Sequence, residues 1–340
     1  MIRKITSVGD WIRDSMPWKF RNLGRERAEL FFEDEVLNLD LDIEGELTST
    51  ADSSILSCKF FFQHKHATPL EGFVEKRGNF RSLLPLMGLS ITSPPNGIDR
   101  SYHLILLEDD NSLENRPIKQ LGNTSAKDMF WMEFFSYKAV SIITDCSLDC
   151  TICNVHIRSH DIKVRTMGIL IESFESIHTR IGPMYKQQSG HWLEIGDLNT
   201  LRLLEILVGN LDYSVFVEDD KLRGHNVLLT SFHHTIVPIA FDFQFLVFTA
   251  SDYGAYKMLN YSSFVTSSKQ SIKDLFPKKE NLEPLIYLVS LIPVLNVLCN
   301  KLPITDSLKK RRIKFSNELA HFMTTYIDEK QGENICQFLQ

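Results

Sequence analysis

Three residues between positions 201 and 248 have the types and the order that phosphoryl transfer needs. In LRLLEILVGNLDYSVFVEDDKLRGHNVLLTSFHHTIVPIAFDFQFLVF, an apolar helix-like run ends in Gly-Asn-Leu-Asp. A loop then ends in His-Asn, and two strand-like runs lead to Asp-Phe. Asp212, leaving the helix, carries a carboxylate that can orient a substrate hydroxyl. Asn226 and Asp242 flank the two strand-like runs, and a carboxamide with a carboxylate can hold Mg²⁺ against nucleotide phosphates. A hairpin across 226–242 brings both of its ends together, and with them these two side chains. Asp242 also interrupts the apolar run IVPIAFDFQFLVF, where a carboxylate is costly to bury unless it is paired or holds a metal.

The elements that must position these residues can be read from periodicity. Residues 1–45 mix helix-forming and acidic stretches, and FFEDEVLNLDLDIEGEL reads as a surface strand or linker. From about 55 to 110, short alternating runs such as SILSCKFFFQ, GFVEKRGNF and SYHLILLE read as an antiparallel sheet, separated by Gly, Pro and Asn. Residues 125–144 read as a helix, with Thr124 or Ser125 as N-cap and Phe130, Met132, Phe134, Tyr137 and Val140 at apolar positions. TICNVHIRS and KVRTMGILIES form a hairpin around His160-Asp161. Beyond 195 the pattern is helical, interrupted by the 226–241 hairpin. The expected organisation is an extension (1–45), a β-rich unit with one helix (46–174) and a helical unit (175–340).

Composition narrows the class. The chain has 340 residues, 43% hydrophobic and 24% charged, which is an ordinary globular balance with room for two units. A net charge of -6 speaks against a dedicated nucleic-acid binder. The N-terminus has no continuous apolar stretch of the kind a secretory signal needs. Residues 284–299, PLIYLVSLIPVLNVLC, are short for a membrane span and contain Pro293, so a buried, kinked helix is expected there and no membrane partner. Six cysteines in a chain of this length do not form a disulfide framework, which points to a reducing, cytoplasmic setting.

Six segments, VEKRGNFR (74–81), MEFFSYKAV (132–140), GILIES (168–173), GNLDYS (209–214), GHN (224–226) and IAFDFQFLVF (239–248), together resemble bacterial proteins related to the spore-coat CotH kinases. The resemblance spans about residues 70–255. It implies an α+β, bilobal protein-kinase-like fold with an antiparallel β-rich first lobe and a helical second lobe. The implied activity is phosphoryl transfer from ATP, with Mg²⁺ or Mn²⁺, to a hydroxyl on a protein. Asp212 then corresponds to the catalytic aspartate and Asn226 and Asp242 to the metal ligands. Glu133 corresponds to the helix glutamate that positions a nucleotide-contacting basic residue. The sequence departs from the pattern in three places. Asp212 and Asn226 are fourteen positions apart, against five in ordinary protein kinases, through the inserted loop YSVFVEDDKLRG. Asp242-Phe243-Gln244 replaces Asp-Phe-Asp. The strand SYHLILLE has Ile105 or a neighbour where relatives carry lysine, leaving Lys76, Arg77 or Arg81 to supply the positive charge at the nucleotide.

Those departures make a catalytically inactive, partner-binding pseudokinase the second expectation. A third comes from Cys146, Cys150 and Cys153, whose C-x-x-x-C-x-x-C spacing is that of radical-SAM iron–sulfur enzymes. No other part of that pattern accompanies it, and small buried thiols at a helix-to-strand corner are the simpler expectation. His64, His66, His233 and His234 lack the companions of a zinc site. The acidic run 218–220 and the basic run LKKRRIKF (308–315) read as solvated surfaces.

Overall fold

The protein was analysed as a computed structural model. It describes residues 36–47, 55–63, 68–77, 86–93, 101–107, 125–144, 146–183, 194–195, 198–210, 214–218, 221–232, 235–243, 246, 248, 261–279 and 282–332.

The first half closes on itself. Strands β1 (Leu37–Ile43), β2 (Ile55–Phe62), β3 (Leu70–Arg77), β4 (Leu86–Thr92), β5 (Ser101–Leu107), β6 (Cys150–Arg158) and β7 (Lys163–Glu172) form a barrel in the order β1-β2-β3-β4-β5-β7-β6. Neighbours are antiparallel except at the closure, where β1 runs parallel to β6 with Leu39 opposite Val155 and Leu41 opposite Ile157. Alternation along LNLDLDI explains why β1 closes the sheet. Its leucines face inward and are buried, while Asn38, Asp40 and Asp42 face outward. On the outer face these three meet Asn154, His156 and Arg158 of β6 in register. The interior is a packed core. Leu39, Leu41, Phe60, Phe62, Leu104, Val155 and Leu170 fill it, and Phe62 sets its ring edgewise against Phe60 and Tyr102. At Gly168 a Cβ would lie 2.7 Å from Leu104 and 2.9 Å from Val155, so the barrel wall there admits only hydrogen.

The outer side of β5, β6 and β7 is buried by helices, which is why SYHLILL is apolar on both faces. Helix α1 (Ala126–Ile143) lies against β5 and β6. Ser125 caps it by accepting the Asp128 amide. Its residues share one core with Ile105, Ile152, Ile169 and Ile171 of the barrel wall and with the helices that follow. Those are α2 (Phe174–Arg180), α3 (Leu198–Val208), α4 (Tyr261–Leu275), α5 (Glu283–Lys301) and α6 (Asp306–Gln331). Asp128 accepts from both the amide and the hydroxyl of Thr305, the N-cap of α6, and so ties the starts of α1 and α6 together. At the exit from the barrel, Glu172 and Arg180 form a buried ion pair of 2.8 Å, and Glu172 also accepts from Ser176 and from the Asp149 amide.

Several expectations are corrected. The bilobal kinase-like fold does not form. The strands close into a barrel where that fold was expected to have an antiparallel sheet as a separate lobe, and α1 packs into the core of the second half instead of separating from it. The stretch read as a surface strand or linker is β1, the closing strand. The inserted loop is a hairpin, β9 (Ser214–Glu218) with β10 (Lys221–His225). A second hairpin, β11 (Val227–Phe232) with β12 (Thr235–Ala240), follows at once, and β8 (Glu194–Ile195) extends it in parallel. Helix α5 runs through Pro293 without ending. Among the described residues it is the one helix long and apolar enough to cross a bilayer, and one of its faces, with Leu285, Leu288, Leu291, Ile292 and Leu295, is buried in the core.

Candidate functional site

The open end of the β11–β12 hairpin is where the chain departs from ordinary backbone geometry. Val227 pairs with Ala240, which sets Asn226 opposite Phe241 and one residue from Asp242. The Phe241 amide donates to the Asn226 carbonyl at 3.1 Å. Asn226 has φ 54° and Asp242 has φ 60°, and among the described residues they are the two non-glycine positions in the left-handed region. Asx side chains reach this region more readily than others, yet each visit still costs energy that the surroundings must supply. The hairpin thus places a carboxamide-bearing and a carboxylate-bearing residue at one end, both half-buried.

Helix α1 holds one side of this end. The Asp242 amide donates to the Tyr137 hydroxyl at 3.1 Å, and the Tyr137 ring stands edgewise to Phe243 with centroids 4.8 Å apart. Glu133 lies one helical turn before Tyr137, on the same face of α1, and is buried. On the other side, a chain of rings reaches the hairpin from the barrel. His103 of β5 meets Phe174 at 5.1 Å, and Phe174 meets Phe241 at 5.1 Å. His103, Phe174 and Tyr137 were not singled out from the sequence. His103 had a signal, a polar ring inside an apolar strand, but its partner lies 71 positions away in sequence.

Asp212 lies outside the described residues, but the chain two positions before it is anchored. Asn210 makes a β-bridge to Leu246, four residues beyond Asp242. Gly209, with φ 81°, ends α3 by turning the chain, and its amide and that of Asn210 both return to the Glu205 carbonyl. The Leu207 carbonyl accepts from Arg312 of α6 at 2.8 Å. That guanidinium is fully buried between the rings of Phe135, Phe248 and Phe315, and burial lowers its pKa to about 10. Glu205 is fully buried as well. Burial pushes its carboxyl well above the usual 4.5, with Asn210 pulling the other way.

Of the basic residues expected at the nucleotide, the structure describes the side chain of Lys76 alone. Lys76 lies near the end of β3, opposite Leu89, on the side of the strand shared with the interior residue Val74. β3 sits between β2 and β4 in the barrel. Arg77 pairs with Gly88 through its backbone, and its side chain lies outside the described residues, as do Arg81 and Gln244.

The cysteine spacing dissolves in three dimensions. Cys150 lies with Cys146 in the helical core, whereas Cys153 faces the barrel interior, where its thiol donates to the Gly168 carbonyl. Burial pushes both Cys150 and Cys153 up to about 12, so they are protonated thiols. Thiols on opposite faces of one strand cannot converge on a cluster.

Among the described residues no three His, Cys, Asp or Glu side chains lie close enough to hold a metal by themselves. The oxygens of Asn226 and Asp242 are hard donors that suit Mg²⁺, which takes few protein ligands and fills its octahedron with phosphate and water. The pair therefore fits a metal that arrives with a nucleotide. No protein-family model matches this chain, and a search of curated proteins finds no match.

Proposed function

We propose that the protein binds ATP, or another nucleoside triphosphate, with Mg²⁺ or Mn²⁺ at the open end of the β11–β12 hairpin. The terminal phosphoryl group then passes to a hydroxyl on a protein. The observation that supports this reading most is the pair of left-handed Asx residues at one hairpin end, Asn226 on one strand and Asp242 one residue beyond its partner Phe241. Two strained positions side by side, each with an oxygen donor, are the signature of a site that the rest of the fold holds in place.

In this reading Asn226 and Asp242 would hold the metal, and the bound ion would supply positive charge against the negative charge that develops on the phosphate oxygens. Asp212 orients the incoming hydroxyl. The hydroxyl oxygen bonds to the γ-phosphorus, the bond to the β–γ bridging oxygen breaks, ADP leaves, and the hydroxyl proton passes to the Asp212 carboxylate. Glu133, buried on α1 behind Tyr137, orders the helix side of the site.

A second reading, nucleotide binding without transfer, is favoured by Gln244 where the resembling family has a carboxylate. The two separate on one experiment: ATP labelled at the γ-phosphate, incubated with the protein and casein as a generic acceptor, in Mg²⁺ and in Mn²⁺. Transfer to the acceptor or to the protein itself is expected, with Asp212→Ala binding ATP normally and transferring none. Binding without transfer in the parent protein would establish the second reading. Equal transfer by the parent and Asp212→Ala would contradict the first.

A further inference from the structure

We infer that Tyr137 is the positioning residue of this site: its hydroxyl, presented by α1, fixes the left-handed backbone of Asp242 and thereby aims the carboxylate at the metal. The inference rests on the reading above. Three observations carry it. The hydroxyl accepts the Asp242 amide itself, at the residue whose φ is 60°. The ring packs edgewise on Phe243, so Tyr137 grips the chain on both sides of the Asp242 side chain. The tyrosine is buried, with its ring fixed in the core that α1 shares with the helices, so the hydroxyl is offered from a rigid element and not from a loop.

The hydrogen bond has a particular consequence. After β12 ends at Ala240 and the Phe241 amide closes the hairpin on Asn226, the next amide, that of Asp242, turns to helix α1. Tyr137 takes it. An amide pinned at this point limits rotation about the Asp242 backbone, and without the pin the residue can relax toward ordinary negative φ. The carboxylate would then lose its fixed direction.

Tyr137→Phe keeps the ring and removes the hydroxyl alone, so the packing on Phe243 survives. The measurement is a Mg²⁺ titration at saturating ATP, followed by the rise in melting temperature of the full chain. Phe264→Leu, which trims the same core away from the hairpin, serves as a control of reduced stability. We expect the Mg²⁺ concentration at half-effect to rise about three- to tenfold in Tyr137→Phe, the worth of one hydrogen bond, and to stay at the parent value in Phe264→Leu. An unchanged Mg²⁺ midpoint in Tyr137→Phe, or an equal shift in both variants, would overturn the positioning role while leaving the nucleotide site standing. A parent protein that shows no rise with Mg²⁺ and ATP would remove the site and this role with it.

Discussion

An asparagine and an aspartate in left-handed conformation behave oppositely to ordinary residues when replaced by alanine or glycine. Glycine usually costs stability relative to alanine because it loses more backbone freedom on folding. At φ 54° and φ 60° the order reverses, since a Cβ there crowds the following carbonyl by about 1–2 kcal/mol. Asp242→Gly and Asp242→Ala both delete the carboxylate, so their difference isolates the backbone. Urea denaturation should find the glycine variant more stable than the alanine variant by about 1 kcal/mol, and the same order at Asn226. An alanine variant as stable as its glycine counterpart would mean that the position is not held left-handed. At this scale the sequence was informative. Asp242 breaks an apolar run, and Asn226 ends a loop at the head of a strand, so both stood out as residue types. Tyr137 did not, because a tyrosine at an apolar helix position reads as core, and only the fold reveals that its hydroxyl meets an amide 105 positions away.

Helix α3 illustrates what an element contributes beyond its length. Its last turn carries Glu205 in full burial, and the chain then turns at Gly209 toward Asn210 and the region of Asp212. The Glu205 carboxyl is pushed above 4.5 by burial, so folding takes up a proton at this site. For an acid with a raised pKa the contribution to stability is complete below its unfolded value and falls as pH rises toward the folded one. Glu205→Gln has no proton to bind, and should therefore gain stability over the parent as pH rises from 4 to 8. Urea midpoints for both proteins across that range would show it. A difference that is flat with pH would mean the carboxyl titrates alike in the folded and unfolded protein. Strands and helices with strong periodicity were legible: α1 is capped by Ser125, one of the two caps read from the sequence, and β6 and β7 turn at His160-Asp161. β1 was read as surface because its aspartates alternate with leucines. Alternation of that kind is equally the mark of a strand with one face in a core, and the partner that buries it, β6, lies 116 positions away. The 214–225 segment failed for another reason: its acidic tip masked two short strands on either side.

At the scale of the molecule, closure of the barrel changes what the first half can do. A seven-stranded barrel filled by Phe60, Phe62 and its leucines has a packed interior, and its outer wall meets the helices. That wall, β5 to β7, carries α1 on one side and, through His103 and Phe174, touches the hairpin on the other. Local patterning identified the strands but not their closure, since a parallel contact between the first and sixth strands leaves no trace in either one alone. The candidate site is assembled from α1, the end of β12 and the aromatic bridge from β5. Central to it is the claim that the Asn226–Asp242 end binds a metal–nucleotide pair, with neither component sufficient alone because no three His, Cys, Asp or Glu side chains among the described residues gather to hold a metal. The most direct measurement is the melting temperature of the full chain with ATP alone, Mg²⁺ alone, Mn²⁺ alone, and ATP with each metal, in the parent and in Asp242→Asn. At a hundredfold excess over the dissociation constant, binding to the folded state stabilises by about 2.7 kcal/mol. A rise of several degrees is expected only when ATP and metal are present together, and only in the parent; no rise in any mixture, or an equal rise in Asp242→Asn, would contradict the claim.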